Sequence, residues 1–318
     1  MMQIKKDTFI ACDTEFDKAK IVILGAGFDS TTTYRPGARF APSAIRRESY
    51  SIETYSPYQD KDLEDLKVCD AGDLELPISD TKRTLCVIED EIKKILETKK
   101  FPVLLGGEHL VTLGAVRAML QKHKDIVIIH FDAHADLRDE YLGDRLSHST
   151  VMRRCLEELS RERNALPYGE TNQQFIGNNG VRPPAFNGTV EERIALPTNH
   201  LIYQFGIRSG DKSEFDFAKK HTQMTKFCFD GLDKIKGKKV YLSVDMDVLD
   251  PSEFPGTGTP EAGGVKFLDL LKATKTVFEN NDVVGMDIVE LNPMVDSSGI
   301  SVSLACKYLR EVLLLIGG

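Results

Sequence analysis

Ile126-Val127-Ile128-Ile129-His130-Phe131-Asp132-Ala133-His134-Ala135-Asp136 is the stretch that decides how this chain is read. Its first four residues are apolar on both faces of an extended segment, the pattern of a strand buried in a parallel sheet. The acids and imidazoles therefore emerge where that strand ends. Alternate side chains of an extended segment share a face, so Asp132, His134 and Asp136 are expected to point to one common place. Two carboxylates and an imidazole crowded out of water repel and desolvate one another unless a cation joins them. Asp and His are the oxygen and nitrogen donors that suit first-row divalent ions. For this segment alone, a solvated polar loop is the alternative.

Working outward, the same arrangement recurs. Residues 102–105 read as a strand that runs into Gly106-Gly107-Glu108-His109 before a helix over 110–121. A strand over 239–244 ends in Asp245-Met246-Asp247, and another over 282–289 ends in Asp287-Ile288-Val289-Glu290. Further strands are expected at 20–27, 68–69, 126–129, 200–207 and 225–229. Helices are expected at 79–99, capped by Ser79 or Asp80, and at 267–280 and 301–316; a short one opens at Pro42 and Ser43, and a helical stretch runs near 156–163. Strands alternating with helices imply a mostly parallel sheet covered on both faces, as one α/β domain over 1–318. In such sheets, sites are built at the carboxyl edge of the strands, where all four clusters fall. The Gly25-Ala26-Gly27 turn is a weak dinucleotide signal, because Ser30 stands where a third glycine belongs and no helix opens there. An insertion at about 160–199, rich in Gly, Asn and Pro, does not fit the alternation; its stretch from about 164 to 199 is read as a rim or lid over the site, with an inert surface insertion or a subunit contact as the alternative.

The chain has 41 basic and 49 acidic side chains among 318 residues, a net charge of −8, which disfavours nucleic acid and anionic membranes as partners. Six scattered cysteines with no C-x-x-C pair suggest neither a zinc knuckle nor a disulfide framework, and a cytoplasmic location fits them. No run is long and apolar enough to span a bilayer, and the start lacks a signal-peptide core.

His109, Asp132, His134, Asp136, Asp245 and Asp247 make six candidate metal donors, too many for one small ion with an open position but suited to two ions sharing carboxylates. Four carboxylates balance two divalent cations. With no thiol in the set, Mn²⁺ is favoured over zinc or copper, with Fe²⁺, Co²⁺ or Ni²⁺ as alternatives. Hydrolysis is the chemistry such a pair supports.

GGEH at 106–109, DAHAD at 132–136, SVDMDVLDP at 243–251 and GMDIVELNP at 285–293 resemble, in order and spacing, the four signature segments of the ureohydrolases, the arginase and agmatinase family. The resemblance covers most of 20–154 and 201–318. It implies a three-layer α/β/α fold on an eight-stranded parallel sheet with two Mn²⁺ per chain. It further implies that His109 and Asp136 bind one ion, His134 and Asp247 the other, and that Asp132 and Asp245 bridge both. Asp136-Leu137-Arg138-Asp139 is similar to agmatinases, whereas arginases place asparagine where Arg138 stands. Leu146-Ser147-His148-Ser149 also looks agmatinase-like, with Ser149 where glycine or alanine is usual; formiminoglutamases generally lack a match to His148. Tyr34-Arg35-Pro36-Gly37 and Phe40-x-Pro42 resemble the agmatinase N-terminal segment.

The expected reaction is hydrolysis of a small cationic guanidine, agmatine to putrescine and urea, with guanidinobutyrase, arginase and formiminoglutamase activities as alternatives. Glu290 is expected to hold the guanidinium N–H donors, Asp136 to relay a proton and His148 to shuttle it, with Arg138 and Asp139 near the substrate tail. His123, His200 and His221 have no such context. The family commonly forms trimers or hexamers, so a homo-oligomer is implied. A dinuclear phosphohydrolase would share the donors but calls for an arginine-rich phosphate clamp, and none accompanies them. A non-catalytic metal-binding regulator is the other rival, and the intact donors with Glu290 weigh against it.

Overall fold

A computed structural model describes residues 7–165 and 200–318. Nearly all of the expected insertion, and the lid assigned to it, lie outside the described residues. Eight parallel strands form the central sheet: β1 (Ile21–Ala26), β4 (Val68–Asp73), β5 (Phe101–Gly106), β6 (Val127–Phe131), β7 (Ile202–Ile207), β8 (Gln223–Lys226), β9 (Lys239–Asp245) and β10 (Asp282–Val289). β2 (Tyr55–Ser56) and β3 (Lys61–Asp62) make a separate antiparallel pair. The sheet order is β4-β1-β5-β10-β9-β6-β7-β8. Every neighbouring pair is parallel.

Strand alternation divides the core into two layers. Val240, Leu242 and Val244 of β9 pack with Ile45 of α1 (Ala41–Glu48), Leu270 and Val277 of α6 (Phe267–Asn280), and Leu309 of α7 (Ile300–Gly317). On the opposite face Tyr241, Leu104 and Ile128 pack with Ile88 of α2 (Thr81–Glu97), Val116 of α3 (Val111–Lys122) and Leu156 of α4 (Val151–Ala165). The result is the expected three-layer α/β/α arrangement. α2 begins where Asp80 accepts a hydrogen bond from the Arg83 backbone N–H. Its stripe of Leu85, Ile88 and Ile92 is buried.

Three local expectations are corrected. β8 spans Gln223–Lys226 rather than 225–229, because Phe227 turns the chain at φ 64°. α4 opens at Val151, five residues before the expected 156. α5 (Lys212–His221) was not anticipated, although Asp211 and Glu214 form a reciprocal capping box at its start.

The three strands that deliver the candidate donors, β5, β9 and β6, and β10, which delivers Glu290, are adjacent at the centre of the sheet. The chain passes from β5 to β6 across two strand positions that β10 and β9 fill later. The crevice at such a crossing lies at the carboxyl ends. Gly107 is required there: a Cβ would stand 2.0 Å from the Phe28 carbonyl oxygen, so only glycine lets the loop carrying His109 pack against the loop after β1.

Candidate metal centre

β6 stops at Phe131, so strand alternation does not carry Asp132, His134 and Asp136 to one place as expected. A turn does it instead. Asp132 Oδ1 accepts the His134 backbone N–H at 2.6 Å, and Asp136 adopts φ 53°. Asp245 works the same way: its Oδ1 accepts the Asp247 N–H at 2.8 Å, starting a tight 3₁₀ turn over Met246–Val248. Glu290, at φ 63°, accepts the His109 N–H on Oε1 at 2.7 Å, while its own N–H donates to the Gly107 carbonyl. The loops after β5 and β10 are thereby tied together.

All six candidate donors converge. His109 Nδ1 lies 3.1 Å from Asp132 Oδ2, 3.2 Å from Asp136 Oδ2 and 3.2 Å from Asp245 Oδ2. His134 Nδ1 lies 2.9 Å from Asp247 Oδ2 and 3.5 Å from Asp132 Oδ1. Asp132 thus turns one oxygen to each imidazole. His109 and the four acids are buried. His109 Nδ1 and Asp247 Oδ2 make no hydrogen bond at all. Buried polar atoms without partners are rare and call for an unseen one, and a divalent cation among these oxygens and nitrogens supplies it. The residues fit two such ions.

Electrostatics agree. Burial, then the neighbouring Asp132 charge, pushes the Asp245 carboxyl well above the usual carboxylate range. Burial opposes charge on His109 and His134 too, but the carboxylates of Asp132, Asp136, Asp245 and Asp247 beside them hold both imidazoles well above their ordinary value. Without cations the cluster keeps protons where positive charge is wanted.

The cavity beside the cluster is lined by Asp136, Arg138, His148, Asp211, Glu214 and Glu290. His148 Nδ1 donates to the Thr31 carbonyl at 2.9 Å, and its backbone N–H donates to Thr31 Oγ1 at 3.0 Å. Thr31 is itself held by Glu108, which accepts its N–H at 2.8 Å and its hydroxyl at 2.5 Å. Burial lowers the His148 pKa, partly countered by Asp136. Burial, reinforced by Glu108, lifts Glu290 to about 8.

Arg138 reaches the cavity but is occupied: it contacts Asp211 Oδ2 at 3.0 Å and Glu214 Oε2 at 3.3 Å, and lies over the Tyr141 ring. Asp139 is not brought to the cavity. Its carboxylate turns to Arg154, at 2.8 Å, and Arg145, at 3.3 Å, which corrects the expectation that it faces the substrate tail.

Sequence reasoning missed several residues here. Asp211 and Glu214 carried a signal as a D-x-x-E capping pattern. His130 was quoted but given no role. Its Nε2 lies 2.8 Å from Asp132 Oδ2, and its Nδ1 lies 3.1 Å from Gln204 Nε2. Gln204 Nε2 also donates to the Ala135 carbonyl, which fixes the amide orientation. Nδ1 of His130 is therefore the acceptor, and Nε2–H donates to Asp132, holding that carboxylate in place.

The model of the Arginase family matches residues 19–315. The agmatinase of Bacillus cereus is 41% identical over 314 residues, covering 96% of this chain and 95% of that protein. The N(1)-aminopropylagmatine ureohydrolase of Thermococcus kodakarensis is 34% identical, over 87% of this chain and 84% of that protein. Among solved structures, the agmatine ureohydrolase of Thermoplasma volcanium superposes with a TM-score of 0.78 at 30% identity, covering 98% of this chain and 94% of the other. With sequence and fold matched along nearly its whole length, the chain belongs to the arginase family.

Proposed function

We propose that this chain, as a single domain, hydrolyses agmatine to putrescine and urea with two Mn²⁺ per chain, as a cytoplasmic homo-oligomer, trimeric or hexameric. The observation that carries the reading is the pair of imidazole Nδ1 atoms, each set among carboxylates, with His109 Nδ1 and Asp247 Oδ2 buried and without a hydrogen-bond partner. The similarity to agmatinases supports the choice of substrate.

In this reading His109 and Asp136 would hold one ion, His134 and Asp247 the other, and Asp132 and Asp245 would contribute to both. When bound, paired divalent ions lower the pKa of water enough to supply hydroxide near neutral pH. Glu290 offers its carboxylate to the planar N–H donors of the guanidinium, the paired geometry the two groups favour. A cationic group beside it favours its charged form, against the burial that raises its pKa. His148 has committed Nδ1–H to Thr31, so its proton exchange runs through Nε2, which delivers a proton to the departing amine. Asp136, within the cluster and lining the same cavity, relays that proton.

At the tail, Asp211 and Glu214 set two negative charges against the single positive charge of Arg138. A terminal ammonium is favoured there. A carboxylate has to pull Arg138 from two acids. Urea release from agmatine, arginine, guanidinobutyrate and smaller guanidines on manganese-loaded protein tests this. Agmatine is expected to have the highest kcat/KM, with arginine at least about tenfold lower. Arginine equal to or above agmatine contradicts the assignment.

A further inference from the structure

We propose that Asp287, acting through Ser243, is the positioning residue that fixes His109 in the tautomer able to receive a metal ion. The proposal rests on the metal-centre reading above and adds a role for a buried acid that the catalytic scheme leaves unused.

Asp287 lies on β10 in register with Ser243 of β9. It is completely buried, and among the described residues no basic side chain pairs with it. Its partners are three hydroxyls. Tyr241 and Thr112 each donate to Oδ2 at 2.8 Å, and Ser243 donates to Oδ1 at 2.8 Å. Tyr241, Ser243 and the candidate ligand Asp245 alternate along one face of β9, while Thr112 comes from the first turn of α3, directly after the loop that carries His109.

Counting hydrogens determines the direction of the chain. Burial raises the Asp287 carboxyl pKa, but three hydroxyls donate to its two oxygens, so toward each of them it acts as the acceptor. The single hydrogen of Ser243 is therefore directed at Asp287 Oδ1, and the serine oxygen is left as an acceptor. His109 Nε2 stands 2.9 Å from that oxygen, so Nε2 carries the hydrogen. Thr112 Oγ1, 3.5 Å from the same oxygen, has its hydrogen directed at Asp287 and does not compete as a donor. A neutral imidazole protonated on Nε2 has its lone pair on Nδ1. Nδ1 is the atom that faces Asp132, Asp136 and Asp245 at 3.1–3.2 Å and has no hydrogen bond.

Remove the serine hydroxyl and the preference vanishes. The imidazole then moves its hydrogen to Nδ1 and donates to one of the three carboxylates, closing the position. Histidines that bind metals commonly donate their other N–H to an acceptor for this reason. Here a serine stands between the imidazole and the carboxylate.

The test uses the full chain, stripped of metal and titrated with Mn²⁺ by calorimetry, together with electron paramagnetic resonance of the loaded protein. Two neighbouring Mn²⁺ ions give an exchange-coupled spectrum, whereas a lone ion gives a six-line pattern. In Ser243→Ala and Asp287→Asn, one of the two sites is expected to weaken by about 10- to 100-fold and the other by less than about threefold. The six-line pattern should dominate at one to two ions per chain. Tyr241→Phe, which removes a donor to Asp287 but leaves the serine link, should keep both sites and the coupled spectrum. Wild-type affinities in both Ser243→Ala and Asp287→Asn overturn the proposal. Equal weakening of both sites in all three variants also overturns it, since that is the mark of disturbed packing. A wild-type chain that takes up no divalent ion overturns the metal-centre reading itself, a result distinct from variants that match a two-ion wild type.

Discussion

Asp245→Asn separates stability from metal binding, because the two should move in opposite directions. In the metal-free chain Asp245 is buried beside Asp132, and both burial and that neighbouring charge favour its neutral form. Asparagine is neutral at every pH. Its carbonyl oxygen can keep the 2.8 Å bond from the Asp247 N–H, and its amide group then stands where Oδ2 lies, 3.2 Å from the unpartnered His109 Nδ1. At a pH high enough for His109 to be neutral, a repelled carboxyl is replaced by a donor facing an acceptor, and the melting curves are taken there. Relief of a buried charge of this kind is worth about 1–2 kcal/mol. At about 2–4 °C per kcal/mol for a chain of 150–250 residues, and less for a longer one, the metal-free protein should melt about 1–4 °C higher. With metal the sign reverses. Losing one partner of a buried charged contact costs about 3–5 kcal/mol, or roughly 10²- to 10⁴-fold in ion affinity. Melting curves with chelator and with excess Mn²⁺ read both effects. The wild type should gain several degrees from Mn²⁺ and the variant almost none. A variant that keeps the wild-type Mn²⁺ shift, or melts lower than wild type without metal, refutes the reasoning.

Thr31→Val removes the hydroxyl that links Glu108 to the His148 backbone; kcat for urea release should fall about 10- to 100-fold with KM and metal content unchanged, and a change confined to KM would show that the link does not serve proton transfer. Asp139→Asn should leave kcat/KM for agmatine within about twofold and stability within about 1 kcal/mol, since the carboxylate is partly exposed and spent on Arg154 and Arg145. A tenfold rise in KM would return it to the substrate tail. Mn²⁺ affinity should increase with pH through and above about 6.5, because His109 and His134 hold protons above their ordinary range that binding must displace. Calorimetry in buffers of different ionisation enthalpy measures that proton release, and a pH-independent affinity with none would contradict it.

The frame was legible because the central strands are buried on both faces, which leaves apolar runs such as those of β6, β9 and β10 in the sequence. The donors were legible because each follows such a run. The route by which they converge was not. Asp136 and Glu290 adopt positive φ, a conformation that non-glycine residues take only under tertiary constraint and that leaves no mark in the residue type. α5 escaped because its buried positions, Glu214, Ala218 and His221, make no apolar stripe. The supporting residues escaped for a different reason. Glu108 is 77 residues from the Thr31 it holds, and Asp287 is 175 from Thr112, so their roles exist only once the strands are side by side. Asp139 shows the converse: it was expected near the substrate tail with Arg138, but Arg154 and Arg145 draw its carboxylate away from the cavity.

The central claim is that two ions held by these six donors are needed together to release urea from agmatine. Metal-free protein titrated with Mn²⁺, with bound metal counted by elemental analysis and urea release measured at each point, tests it most directly. Activity is predicted to track the doubly loaded fraction and reach its plateau at two ions per chain. A plateau at one ion per chain, or two bound ions with no urea released from agmatine or any other guanidine, would contradict the account.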